Sequence, residues 1–268
     1  DIIKGLGNAN KFMNRFLLDG FENYGLQIAE INGGGLRNAI PRESIAVFCI
    51  DEIHTEAFKA DIAEFTETLK EEYKTLEPNL TVTLEAQELP ETVMNLGVQE
   101  GLLKALQAAW NGVYRMSPDI EGLVETSNNV ARVNVKDGNI EVLCLTRSSV
   151  ESSRTDLANT IRSVFELIGC EVELSGEYPG WKPNMDSPIL KVLVEKYTNL
   201  NNEAPHVAAC HAGLECGILG QNYPEMDMIS FGPTIRGAHS PDERASITSV
   251  QKFWVFVQEI LKDIPVKN

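Results

Sequence analysis

An internal repeat constrains this chain more than any other feature. Shifting the sequence by 95 positions lays Gln27-Ile28-Ala29-Glu30 on Gly122-Leu123-Val124-Glu125, Arg37 on Arg132, and the apolar run 45–50 on the run 140–145. Each copy reads helix, strand, strand, helix, strand, from the switch between 3.6-residue and 2-residue apolar periods. In the first copy these elements fall at roughly 8–20, 25–32, 45–50, 54–74 and 80–86. In the second they fall at roughly 97–110, 121–135, 139–146, 151–168 and 170–175.

The turn residues agree with that register. Asp137-Gly138 sits between two alternating runs, as a tight hairpin requires, and Pro41-Arg42-Glu43-Ser44 takes the matching place in the first copy. The helix after each hairpin is amphipathic, with Ala57, Ile62, Phe65 and Leu69 on one stripe and Leu157, Ile161, Val164 and Ile168 on the other. An α/β (α+β) class follows: a duplicated α/β sandwich, helices over one face of a mostly antiparallel sheet that the two copies could share.

Residues 176–187, GEYPGWKPNMDS, form a Gly/Pro-rich connection and the best domain boundary. Beyond it the pattern gives a helix over roughly 188–200, a strand over 206–210, a short helix near 213–220, a strand over 226–231 and a helix over 241–263. Two strands in this stretch are too few for an independent sheet, so it reads as the second half of a domain whose first half is absent. Asp1 rather than Met opens the chain, which adds to the expectation of a piece of something longer.

Composition narrows the partners. A formal net charge of -16 disfavours nucleic acid and anionic membrane surfaces. No apolar run approaches the ~18 residues of a membrane span. Five cysteines, an odd number, favour reduced thiols and a cytoplasmic protein over a disulfide scaffold.

Residues able to carry chemistry concentrate in PHVAACHAGLECGILGQNYPEMDMISFGPTIRGAHSPDE, residues 205–243, where two apolar runs each release polar groups at their ends. His239 follows small residues, Gly237-Ala238, and suits metal ligation or acid–base work, although a plain loop histidine is the commoner occupant of such a place. Asp242 and Glu243 fall in the first turn of the expected last helix and suit its dipole. His211 and Glu215 are four apart, but HxxxE is weak evidence of a metal pair. Apolar neighbours give Glu215 about even odds of being a half-buried functional carboxylate. Gly213 and Gly217 suggest a tight loop entering a short helix, whose amides could hold an anion.

Two residues in the repeat also stand out. Asn38 ends the glycine-rich GGGLRNAIP stretch, where a bulged turn is likelier than a phosphate cradle, since no GxGxxG pattern is present. Arg147 follows a strand and could clamp a carboxylate through parallel hydrogen bonds, or form an ordinary surface ion pair.

HAGLECG, SFGPTIRGAHSPDE and the opening GLGNANK resemble the aminoacyl-histidine dipeptidases (Xaa-His or cytosol non-specific dipeptidases), of the co-catalytic zinc metallopeptidase family. The resemblance implies a catalytic α/β domain interrupted by a lid that carries dimer contacts. Residues 1–178 then correspond to the lid, in two repeats of about 1–90 and 91–178, and 179–268 to the returning C-terminal part of the catalytic domain. It further implies His239 as the last protein ligand of a two-metal centre, and Gly213 and Glu215 as substrate contacts on the catalytic side. Asn38 would polarise the scissile carbonyl, and Arg147 would hold the peptide carboxylate. The family's HxD strand, bridging aspartate, paired glutamates and GGHSG histidine are not in this sequence. Zinc is therefore the implied cofactor, two ions in the complete enzyme and at most a partial site here. The implied partners are a dipeptide substrate, the missing N-terminal catalytic segment and a second copy bound through the lid. The 268-residue chain is expected to be inactive alone. The competing class is a non-catalytic dimerisation or small-ligand-binding module, and another amidase of the same family is a third reading.

Overall fold

The structure, a computed structural model, describes residues 2–176, 178–181, 184–209, 214–237 and 243–264. The chain divides into two compact units, Asp1–Glu177 and Tyr178–Asn268.

In the first unit, helix α1 spans Ala9–Tyr24. The Asn8 side chain accepts from the Lys11 amide at its start, and Gly25, at φ 65°, ends it by returning its N–H to the Phe21 carbonyl. Strands β1 (Gln27–Gly34) and β2 (Ser44–Cys49) pair antiparallel, and helix α2 (Thr55–Tyr73) follows. The second copy has α3 (Leu96–Ala108), β3 (Gly112–Met116), β4 (Val124–Lys136), β5 (Asn139–Ser148) and α4 (Glu151–Glu166). Asp137 and Gly138 both adopt left-handed backbone, φ 51° and 75°, as the tight β4–β5 hairpin requires.

One sheet joins the copies, because β1 pairs antiparallel with β4 from Ile31↔Val135 to Gly34↔Arg132. The order is β2-β1-β4-β3, with β5 along the other edge of β4. Two register slips decide what the sheet buries. A bulge between Ile28 and Glu30 in β1, and another between Val130 and Arg132 in β4, each absorb one residue. Ile28 and Ile31, three apart, therefore join one core cluster, as do Val130 and Val133; strict alternation would send the members of each pair to opposite faces. Leu17 of α1, Phe58 of α2, Leu102 and Leu106 of α3, and Leu157 and Ile161 of α4 complete that cluster, so all four helices cover one face.

Three expectations fail in this unit. Residues 80–86 and 170–175 alternate but form no strand, because no neighbouring strand offers them a ladder among the described residues. Period-2 patterning describes a side-chain arrangement; a strand also needs a partner. Conversely β3 forms from a five-residue run that the pattern left as connection, since β4 is long enough to pair with it at Val124–Asn128.

In the second unit, Ser187 caps α5 (Pro188–Asn201) by accepting from the Leu190 amide at 3.1 Å. Helix α6 spans Glu215–Asn222 and α7 spans Ile247–Lys262. β6 (Ile235–Arg236) and β7 (Arg244–Ala245) make a two-residue antiparallel pair. The expected strand over 226–231 does not form: Phe231 instead packs its ring against Phe253 and Phe256. The described part of the expected 206–210 strand, 206–209, also lacks a ladder. The last helix starts at Ile247 rather than 241, since Ser246 supplies the cap and β7 holds the chain extended just before it. Glu243 thus precedes the helix, and Asp242 lies outside the described residues.

Candidate functional site

The first unit's site grows out of a gap in the sheet. β5 covers one edge of β4 from Thr126 to Lys136, but the other edge is shared, β3 taking Val124–Asn128 and β1 taking Arg132–Val135. Backbone groups at the junction would be buried without a ladder, which costs about 1–3 kcal/mol for each unmet group. Asparagine amides fill it. The Val130 N–H donates to Asn111 Oδ1 at 3.0 Å, and the Val130 carbonyl accepts from Asn8 Nδ2 at 3.1 Å and Asn10 Nδ2 at 3.3 Å. Asn8, Asn10 and Lys11 belong to the GLGNANK segment, whose role within this unit is thereby structural. Lys11 Nζ donates to the Leu106, Gln107 and Ala109 carbonyls at the end of α3, and burial lowers its pKa from the ordinary value.

The glycines before Asn38 are explained by the same crowding. A Cβ on Gly33 would lie 1.8 Å from Asn10 Oδ1, and one on Gly34, at φ 72°, would lie 1.9 Å from the Ala131 carbonyl oxygen. Close backbone approach fills the space, with no phosphate cradle, and the bulge in β1 sits earlier, at Ala29.

Asn38 is exposed on the turn leaving β1, closed by the Ala39 N–H on the Leu36 carbonyl at 3.1 Å. Asn129 of β4, buried, donates its Nδ2 to the carbonyls on either side of Asn38, Arg37 O at 3.2 Å and Ala39 O at 2.7 Å. Arg147 is half-buried on β5 and pairs with Ser127, while Leu145 pairs with Asn129. Paired residues and residues two apart share a sheet face, so Ser127, Asn129, Leu145 and Arg147 lie together. Their alternates face the other way: Thr126 Oγ1 bonds Ser148 Oγ at 2.8 Å, Thr146 donates to Asn128 at 2.9 Å, and Val130 enters the core. The face holding Arg147 and Asn129 is therefore the one turned from the helices. The Arg147 guanidinium has no hydrogen-bond or ion-pair partner among the described residues. A guanidinium and a side-chain amide suit a carboxylate and a carbonyl respectively.

The structure brings Asn38 and Arg147 to β4 positions two residues apart. It does not bring the other candidates to them. Glu215 opens α6 in the second unit and is exposed, against the even odds of half-burial, because the apolar neighbours Ile218 and Leu219 are themselves exposed. Gly217, by contrast, is buried against the Pro179 carbonyl, which a Cβ would approach to 2.4 Å. Gly213 and His239 lie outside the described residues. Among the described residues no three His, Cys, Asp or Glu side chains gather to hold a metal, so these residues do not by themselves fit a two-ion centre. A groove of about 480 Å³ over Phe12, Met13 and Leu69 contains none of the candidates.

Asn129 escaped sequence reasoning because asparagine is depleted in strands. A signal existed: Glu125-Thr126-Ser127-Asn128-Asn129 is an unbroken polar run inside an expected strand, and every member is buried.

Comparison with known proteins shows what the chain is similar to. Residues 3–77 match the peptidase dimerisation domain, a span that covers the first copy of the repeat up to the end of α2. The likeness to aminoacyl-histidine dipeptidases carried by the motifs holds along the chain. It is 40% identical over 267 residues to the cytosol non-specific dipeptidase of Escherichia coli (strain K12), covering 100% of this chain and 55% of that protein. The crystal structure of aminoacylhistidine dipeptidase from Vibrio alginolyticus superposes with a TM-score of 0.86 at 40% identity, over 98% of this chain and 54% of that one. A succinyl-diaminopimelate desuccinylase of Sulfurovum sp. (strain NBC37-1) is 22% identical over 129 residues, 48% of this chain and 35% of that protein. The chain thus spans about half the length of the dipeptidases it matches.

Proposed function

We propose that this chain is the lid and a returning part of the catalytic domain of a metal-dependent dipeptidase that hydrolyses unblocked dipeptides, Xaa-His among them. The observation that carries the reading is 40% identity along the whole chain to a cytosol non-specific dipeptidase. The superposition on an aminoacylhistidine dipeptidase supports it independently. Residues 1–178 act as the lid and 179–268 as the catalytic portion. The match to a peptidase dimerisation domain supports a homodimer formed through the first unit. The name of the cytosolic relative supports a cytoplasmic location, and no described helix is long and apolar enough to cross a membrane.

In this reading Arg147 receives the substrate carboxylate with both arms of its fork, and Asn38 donates its amide to the scissile carbonyl, where negative charge develops as the bond is attacked. Gly213 and Glu215 contact substrate from the catalytic side. His239 would be the chain's ligand to zinc, the family's HxD, bridging-aspartate and paired-glutamate ligands not being in this sequence.

The test compares the full-length protein with the isolated 268-residue chain, each assayed on an Xaa-His dipeptide, its N-acetylated form and a succinylated amino acid. The full-length protein is expected to cleave only the unblocked dipeptide and to lose activity to a chelator, while the isolated chain stays inactive with added zinc. Cleavage of the succinylated compound alone would move the assignment to the desuccinylase-like amidases. Robust turnover by the 268-residue chain would overturn the division of labour. Full-length protein that dimerises without hydrolysing anything would leave a non-catalytic module.

A further inference from the structure

We infer that Asn129 is the positioning residue for Asn38, the end of a relay of buried amides that fixes the loop presenting Asn38 to substrate. The inference rests on the reading of Asn38 as the group that meets the scissile carbonyl. Asn38 is exposed, on a turn with one internal hydrogen bond, and by itself such a turn samples many conformations. A donor that must meet a developing oxyanion cannot be left free, because misplacement by about 1 Å costs on the order of 10²-fold in rate.

The structure answers that need from beneath. Both Nδ2 hydrogens of Asn129 are committed to the carbonyls flanking Asn38, at 3.2 Å and 2.7 Å. Its Oδ1 accepts from Asn8 Nδ2 at 3.3 Å. Asn8 is in turn fixed at 2.8 Å to Asn111 Oδ1, and its own Oδ1 caps α1 through the Lys11 amide. Three hydrogen bonds use most of what one amide can make, so Asn129 cannot turn without abandoning the loop. It stands on β4, paired with Leu145 of β5, while the loop it grips follows the end of β1 at Gly34. A lid strand is therefore rigidly coupled to the substrate-facing turn, with Arg147 and Ser127 on the same sheet face one step along.

The experiment is a double-mutant cycle in the full-length enzyme, read as kcat and KM for an unblocked dipeptide. Asn38→Ala is expected to lower kcat by about 10²-fold, as loss of an oxyanion donor does. Asn129→Ala is expected to lower kcat by about 10-fold or more with little change in KM. The double variant should be no slower than Asn38→Ala, because Asn129 then has nothing to position. Multiplying effects in the double variant would overturn the inference and leave Asn38 in place. An inert Asn38→Ala would instead sink the reading of Asn38, and the inference with it. If Asn129→Ala folds poorly, Asn129→Asp keeps the size but loses both donors. Hydrogen exchange at Ala39 should then quicken at least 10-fold while Leu102 in the core is unchanged. Unchanged exchange at Ala39 would also overturn the inference.

Discussion

The two units obey the same sequence rules with different results. In the first, the alternating segments at β1, β2, β4 and β5 met partners and form a shared sheet, and sheet and helices together bury sixteen described residues in one cluster. In the second, the run 226–231 is largely apolar, yet the described residues pair only at Ile235↔Ala245 and Arg236↔Arg244. Among its described residues the buried apolar side chains are Leu193 and Phe256, and Ile247 and Trp254 are exposed. Apolar pattern supplies the means of burial; the presence of a complementary surface decides whether burial happens.

That contrast is broken most severely by touching the seam of the first unit. Gly34→Ala adds a Cβ 1.9 Å from the Ala131 carbonyl, at a φ of 72° that alanine resists. Neither the carbonyl, held in β4, nor the β1–β4 register can yield cheaply. The expected loss is at least 3 kcal/mol, or failure to fold. Urea unfolding followed by Trp110, with Trp181 and Trp254 replaced by Phe, reports the first unit alone. A midpoint within error of the parent would show that the seam does not bind the copies together.

How much of this was legible follows from what each element needs. The α1 and α2 segments and the β4–β5 hairpin depend on local patterning, on a cap such as Asn8 and on the Asp137-Gly138 turn, all of which are written within a few residues. Segments 80–86 and 170–175 depend on a partner far away in sequence, which alternation does not name. The late start of α7 turned on the Ser246 cap and on the β6–β7 pairing just before it, which local patterning does not announce. Asn38 and Arg147 were singled out by the family resemblance, their own surroundings suggesting only a bulged turn and a surface ion pair. Asn129 was not, because its role exists only where β1 and β3 share an edge of β4.

A matched pair of leucines sharpens the comparison at a smaller scale. Leu102 is 0% exposed, at the centre of the four-helix face, while Leu193 is 7% exposed on α5. Leu102→Ala is expected to cost about 3–5 kcal/mol, since its surroundings are held on several sides and the cavity cannot close. Leu193→Ala is expected to cost about 2 kcal/mol, with fewer fixed neighbours to leave a void. The same tryptophan reporters, one set for each unit, check both values. Equal losses would mean that the second unit is as tightly packed as the first.

The cysteines carry the comparison into pH. Burial raises the Cys144 thiol from 9.0 to about 11, the neighbouring Asn128 and Lys11 only partly opposing it. Cys216, in the second unit, is raised as well, chiefly by burial. For Cys144 the folded pKa lies above the unfolded one, so the native state holds its proton where the unfolded chain has released it. The stabilisation is complete below pH 9.0 and is lost as pH climbs toward about 11. Two pH units correspond to about 2–3 kcal/mol. Lys11 acts with the opposite sign: its lowered pKa makes the unfolded state the more protonated, so its contribution grows over the alkaline range up to 10.5. Stability of the parent minus that of Cys144→Ala, measured at pH 8.5 and pH 10.5, isolates the thiol, and the difference should fall by about 2 kcal/mol. A difference that holds constant across that interval would mean that Cys144 reaches solvent through the strand pairs. The first unit would then be no better sealed at that point than the second.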